Sequence, residues 1–304
     1  MPEKKLVHLT DADGTTAMIA PELGGWLLRY ARPLPKHGFV EALHFSQAVI
    51  DRYPREMYAG NPILFPLASK NLAGGKEHHY EWNGQVFHMP QHGFARRMNW
   101  SVVEQTATSL TMEQTDDEHT RANYPFAFRQ RLSYRLDQGR LRWEQVLENL
   151  GAEPMPFSTG FHPYFRVPLT PKSERAVCFV EIPEAKRVTP QGKWERFSAK
   201  PFPAQNWSVQ EDVSETMFLT DLKKAELILI DPVSELEVTL NFEEAPRHRF
   251  VALWAKSPEE PFYCLEPWTA LPNCFSRPKD RELIILGPNE TFRAAMWMQL
   301  RPMA

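Results

Sequence analysis

From Trp100 to Leu150 the chain alternates apolar and polar residues, run after run, in the period of two that puts one strand face in a core and the other in water. Ser109-Leu-Thr-Met-Glu113, Phe126–Leu136 and Leu141–Asn149 all carry it, and Asp137-Gln-Gly139 turns the chain between the last two. Further short apolar runs follow at 178–182, 225–230, 235–242, 249–254, 262–266, 282–286 and 291–300. His79–Trp82 and Gln85–Met89 flank Asn83-Gly84, the strongest short-range signal for a hairpin with a type I′ turn. Nothing reads as a long amphipathic helix, and there is no internal repeat or linker. Many short strands between turns predict an all-β chain, a large antiparallel β-sandwich or a barrel, with residues 1–304 as a single domain.

Composition sharpens this reading. The 27 prolines suit turns and strand ends, and tilt the reading towards an all-β chain. The prolines also break the polar stretch 184–214, which reads as loop-rich, and residues 51–75 read as loop. A net charge of −3 argues against a nucleic-acid partner. The start, Met1-Pro-Glu-Lys-Lys-Leu6, lacks the apolar stretch of a secretory signal, and no apolar run nears the ~20 residues needed to cross a bilayer. Cys178, Cys264 and Cys274 form no CxxC and read as free thiols. The expectation is a soluble, cytoplasmic protein with no membrane partner.

Two stretches carry candidate chemistry. In Ser158-Thr-Gly-Phe-His-Pro-Tyr-Phe165 a single imidazole, His162, is locked among aromatics and proline. It is either a hydrogen-bonded core residue or an acid–base group aimed into a pocket. In Phe262-Tyr-Cys-Leu-Glu-Pro-Trp268 one carboxylate, Glu266, closes an apolar run, after which Pro267-Trp268 is expected to turn the chain. It is either a strand-end group in water or a buried carboxylate that requires a partner. His88 and His92 flank Pro90, so they cannot share a helix face, and no cysteine or acidic cluster accompanies them. His92 is therefore read as a pocket-lining polar group, with no metal. Gly74-Gly75-Lys76 lacks the spacing of a phosphate loop, and no nucleophile elbow or dinucleotide fingerprint occurs.

Four stretches, in order, resemble the aldose 1-epimerase (mutarotase) superfamily across roughly residues 15–300. Gly60-Asn-Pro-Ile-Leu-Phe-Pro66 is similar to its G-x-P-x-x-F-P. Pro90-Gln-His-Gly-Phe-Ala-Arg96, with Trp100, is similar to a motif of the hexose-6-phosphate branch. Thr159–Phe165 resembles its H-P-Y-F motif and Cys264–Trp268 its glutamate strand. The resemblance implies a galactose mutarotase-like supersandwich with no metal or organic cofactor. It implies His162 as general acid to the ring oxygen and Glu266 as general base to the anomeric hydroxyl, on opposite sides of the C1–O5 unit, with His92 beside the ring oxygen. Gln91 and Arg96 resemble the phosphate branch.

The chain departs from the family pattern in three places. Lys70 stands where an arginine is usual, Glu215 where an aspartate precedes a phenylalanine (here Phe218), and Tyr58 where the phosphate branch has arginine. The expected ligand is a small-molecule sugar, free aldohexose or hexose 6-phosphate, and the expected state a monomer or homodimer. A non-catalytic sugar sensor, and a lyase or hydrolase using Tyr164, are the alternatives.

Overall fold

The computed structural model describes residues 5–279 and 281–303. Two large antiparallel sheets pack across a shared hydrophobic core, forming a β-sandwich. One has nine strands, in the spatial order Ser101–Gln105, Ser109–Thr115, Phe128–Asp137, Arg140–Asn149, Thr291–Pro302, Leu236–Asn241, Glu226–Asp231, Phe179–Ile182 and Gln205–Ser208. The other has eight: Arg196–Phe202, Ala185–Gln191, Met217–Thr220, Phe250–Trp254, Phe262–Trp268, Gly160–Phe161 and Ile63–Leu64 in order, with Tyr164–Arg166 also paired to Phe262–Trp268. A four-stranded sheet, from Val7–Thr10 to Gly38–Glu41, and small two-stranded sheets complete the structure.

The period-two runs become the long ladders of the nine-stranded sheet. Phe128–Asp137 and Arg140–Asn149 pair without a break from Phe128↔Asn149 to Asp137↔Arg140, and their inward residues alternate with polar ones facing outward. The cores of the two sheets meet where the Trp143 ring lies 5.6 Å from that of Phe161, nearly edge-on. The predicted hairpin forms with His79–Trp82 against Gln85–His88, and its turn residues Asn83 and Gly84 both have positive φ, as a type I′ turn requires.

Three expectations are corrected. Residues 184–214 are largely strand: Ala185–Gln191, Arg196–Phe202 and Gln205–Ser208. Two of these, Arg196–Phe202 and Gln205–Ser208, are sheet edges, where nearly all residues are exposed or half-buried and proline is tolerated, so the alternation signal disappears. The stretch between Trp100 and Leu150 is interrupted by a short helix, Glu118–Asn123, started by a reciprocal capping box between Asp117 and Thr120. Finally, Pro267-Trp268 does not turn the chain. The strand runs on through Trp268, pairing Val251↔Pro267 and Phe250↔Trp268. Among the described residues no helix is long and apolar enough to cross a membrane.

Candidate active site

Strand register builds the site. Gly160 pairs with Trp268 and Tyr164 pairs with Cys264, so two steps inward along both segments bring His162 level with Glu266. The ladder is interrupted there, at His162-Pro163, between Gly160–Phe161 and Tyr164–Arg166. Proline cannot donate to a ladder, so the interruption is local chemistry. On the other side of Phe262–Trp268, Trp254 pairs with Cys264 and Ala252 with Glu266. Because side chains alternate, Cys264, Glu266 and Trp268 share one face with His162 and Tyr164. Gly160 has no Cβ for a steric reason: one built there would lie 2.5 Å from the Trp268 ring. Behind the break, Thr159 Oγ1 donates to the Leu64 carbonyl at 2.8 Å and Thr159 N–H to Thr269 Oγ1 at 2.8 Å, fixing where the His162 segment emerges.

The His92 loop is pinned to the Phe65-Pro66 segment. A Cβ at Gly93 (φ +72°) would lie 2.1 Å from the Phe65 carbonyl oxygen, which accepts from both Phe94 and Ala95 N–H. Ser69 and His92, both in the left-handed region, hold each other: His92 N–H donates to the Ser69 carbonyl at 2.6 Å, and Ser69 N–H donates to His92 Nδ1 at 3.0 Å. Nδ1 is thus an acceptor, so the ring proton sits on Nε2.

His162 Nε2 lies 3.3 Å from Glu266 Oε2, and the Tyr164 hydroxyl lies 3.4 Å from the same nitrogen. The Tyr164 ring stacks on the imidazole at 4.5 Å with 6° between planes, and Trp254 and His92 meet it edge-on. Both members of the pair are buried, with His162 5 % and Glu266 1 % exposed. Burial pushes the Glu266 carboxyl well up, against the opposing pull of the Trp268 indole and the Arg96 charge. Burial, and then the Arg96 charge, push the His162 imidazolium well down. His92 is lowered likewise, by burial first and then by Arg96 and His162. The pair therefore favours its neutral form, with one mobile proton between two groups in contact.

A cavity of about 450 Å³ opens above the pair. His92, Gln91, Arg96, His162 and Glu266 all line it. Lys70 does not: its ammonium lies 3.3 Å from Glu77 and 4.5 Å from the Trp194 ring centre. Glu215 is exposed and lines a neighbouring cavity, while the next residue, Thr216, lines the one above His162 and Glu266. His162 and Glu266 are side by side rather than opposed, and Glu266 is a mid-strand residue in the interior. Sequence reading passed over Trp254 as part of this wall, which Arg55, Arg97 and Tyr58 also line. The register explains Trp254, which faces Cys264 across the strand pair. Arg55 and Tyr58 arrive from the 51–75 loop, and Tyr58 is the residue that stands where the phosphate branch has arginine. His88, Arg97 and His78 also line the cavity. The one cluster of three metal-type donors among the described residues is His162, Cys264 and Glu266.

Known proteins share this architecture. The chain is similar to the Slr1438 protein of Synechocystis (TM-score 0.81, 24% identity, 99% of this chain and 96% of that one). It is similar in fold to a galactose mutarotase related enzyme from Lactobacillus acidophilus (TM-score 0.80, 21% identity, 99% and 98% covered). In sequence it is 27% identical over 232 residues to the chromosomal protein LacX of Lactococcus lactis, spanning 69% of this chain and 73% of that one. A sequence model described as aldose 1-epimerase matches residues 5–299, and the chain therefore belongs to the aldose 1-epimerase family.

Proposed function

We propose that the protein is a mutarotase that interconverts the α and β anomers of an aldohexose. The observation that carries this is the 3.3 Å contact between His162 Nε2 and Glu266 Oε2 beneath the cavity. In a pyranose the ring oxygen and the anomeric hydroxyl are bonded to the same carbon. Two adjacent groups, one giving a proton and one taking it, can reach both oxygens from one side. With the pair's one mobile proton shifted from Glu266 to His162, Glu266 takes the proton of the anomeric hydroxyl while His162 gives one to the ring oxygen, which leaves the pair in its favoured neutral form. The C1–O5 bond breaks and the free aldehyde forms. Rotation about C1–C2 and the reverse transfers close the other anomer, with no net proton change. His92 and the Gln91 side-chain amide, 3.2 Å from His92 Nε2, offer polar groups to the sugar, and Trp254 and Trp268 offer apolar faces.

A second reading, hexose 6-phosphate as substrate, is favoured by the wall chemistry. Arg55, Arg96 and Arg97 line the cavity, and among the described residues none of them makes an ion pair. Guanidinium forks of this kind suit a phosphate. Buried free thiols at Cys178, Cys264 and Cys274 suit a reducing, cytoplasmic location.

The test is anomer exchange by NMR with glucose, galactose and glucose 6-phosphate, using wild type, His162→Ala and Glu266→Gln. The expected result is fast exchange that both substitutions abolish, with the preferred sugar deciding between the two readings. Measurable sugar binding with no acceleration of any of the three would replace the mutarotase with a sugar sensor.

A further inference from the structure

The catalytic pair has a third neighbour that proton transfer does not use. Cys264 lies two residues before Glu266 on the same strand face, is fully buried, and does not line the cavity. One ligand atom each from His162, Cys264 and Glu266 lies within 4.8 Å of the others. We infer that these three side chains form a binding site for a thiophilic divalent cation of the zinc class, at the floor of the cavity, and that such an ion blocks the sugar reaction.

The donor set is selective. Imidazole, thiolate and carboxylate together suit zinc or cadmium, whereas magnesium and calcium take oxygen ligands. The spacing is close to what zinc needs. Bonds of about 2.0–2.3 Å in a tetrahedral arrangement set neighbouring ligand atoms about 3.3–3.6 Å apart. The His162–Glu266 edge already measures 3.3 Å. Cys264 Sγ, within 4.8 Å of the other two, must close by at most about 1.5 Å, within the reach of side-chain rotation.

Apart from its 3.3 Å contact with His162, Glu266 Oε2 has no hydrogen-bond partner among the described residues, so a buried acceptor is available to the ion. The cavity above supplies the entry route and leaves the fourth position open, as in three-ligand zinc sites. Charge also balances. The ion displaces the Cys264 thiol proton and the proton held by the pair, so two ligand anions offset two positive charges. The Arg96 guanidinium nearby then faces the same net charge as before. Sequence reading assigned no metal because it looked along the chain at His88 and His92; strand pairing brings Cys264 to the site instead.

Bound there, the cation occupies both groups that would move protons to and from the sugar. This inhibition rests on the mutarotase reading, but binding does not. The experiment is titration of the full-length protein with CdCl₂, followed by cadmium–thiolate ultraviolet absorption, in wild type and in Cys264→Ala. Cys264→Ser is used if the alanine variant does not fold. Anomer exchange is measured in parallel with ZnCl₂ and MgCl₂.

The expected result is a thiolate band that saturates at one equivalent in wild type and is absent in the variant. Zinc, but not magnesium, should inhibit wild-type exchange with at least tenfold greater potency than it does the variant. No band in wild type, a band unchanged in the variant, or equal inhibition of both proteins overturns the proposal. If no sugar is turned over, the cadmium band alone decides, so failure of the metal site and failure of the mutarotase reading are separable.

Discussion

The two large sheets solve the same packing problem in different ways. The nine-stranded sheet is regular at its centre: Phe128–Asp137 and Arg140–Asn149 run in unbroken register, apolar inward, with outward arginines and glutamates such as Arg131 and Glu113 paired at 2.7 Å. The eight-stranded sheet is interrupted where it matters most. At His162-Pro163 the ladder opens, and a histidine and a glutamate sit in the interior at a place where apolar packing would be more stable. The regular sheet stores stability; the broken one accepts a local cost to hold a buried histidine and glutamate in contact.

Substitutions can break or sharpen that contrast. The largest effect expected is on chemistry. Glu266→Gln should lower kcat for anomer exchange by about 10²–10⁴-fold, with thermal stability equal to or above wild type, because a buried carboxyl is replaced by a neutral amide. Calorimetry beside NMR exchange checks both halves, and a large drop in stability would contradict the division of labour. Trp143→Ala, in the regular sheet, should do the reverse: about 3–5 kcal/mol lost in denaturant unfolding, with kcat of the folded fraction retained. Trp143 is fully buried against Phe161, so a cavity opens between the sheets.

Smaller effects follow at the rim and in the interior. Arg97→Ala should raise KM for glucose 6-phosphate about tenfold while leaving glucose unchanged, if the arginine wall holds a phosphate. Equal effects on both sugars would mean that Arg97 only shapes the cavity.

His248 lies buried between the Phe161 and Phe292 rings, and burial lowers its pKa from 6.5 to about 3. It stays neutral in the fold while the unfolded chain protonates it below its ordinary value. Its contribution is present above pH 6.5 and is lost as pH falls from there towards 3. The slope is about 1.4 kcal/mol per pH unit. His248→Phe should remove one proton's worth of that slope in pH-dependent unfolding. Least of all, Arg142→Ala, which breaks an exposed pair with Glu244 at 2.9 Å, should change stability by about 1 kcal/mol or less.

The pair also predicts the pH profile of the proposed anomer exchange. Glu266 is pushed up and His162 down by burial, so one proton is retained between them over a wide range. Exchange should be flat through neutral pH, falling only when the pair gains a second proton at low pH or loses its one at high pH. A narrow bell centred near pH 6.5 would mean that water reaches the imidazole.

What the chain determined by itself is what depends on neighbours in sequence. Period-two alternation specified the long strands, Asn83-Gly84 specified its hairpin, and the apolar context of His162 and Glu266 marked both as unusual. The motif resemblance supplied the roles assigned to them. Tertiary structure decided what depends on residues far apart. The register of Gly160 with Trp268 and Tyr164 with Cys264 set the His162–Glu266 contact and placed Cys264 beside it. Folding of the 51–75 loop put Arg55 and Tyr58 on the cavity wall and turned Lys70 away, towards Glu77 and Trp194. The edge strands of 184–214 carried no alternation because both their faces are largely wet, and Glu266 was misplaced at a strand end because Pro267 looks like a terminator. A proline can stay in a strand where a neighbouring ladder is already interrupted, and that interruption arises about a hundred residues away, at His162-Pro163.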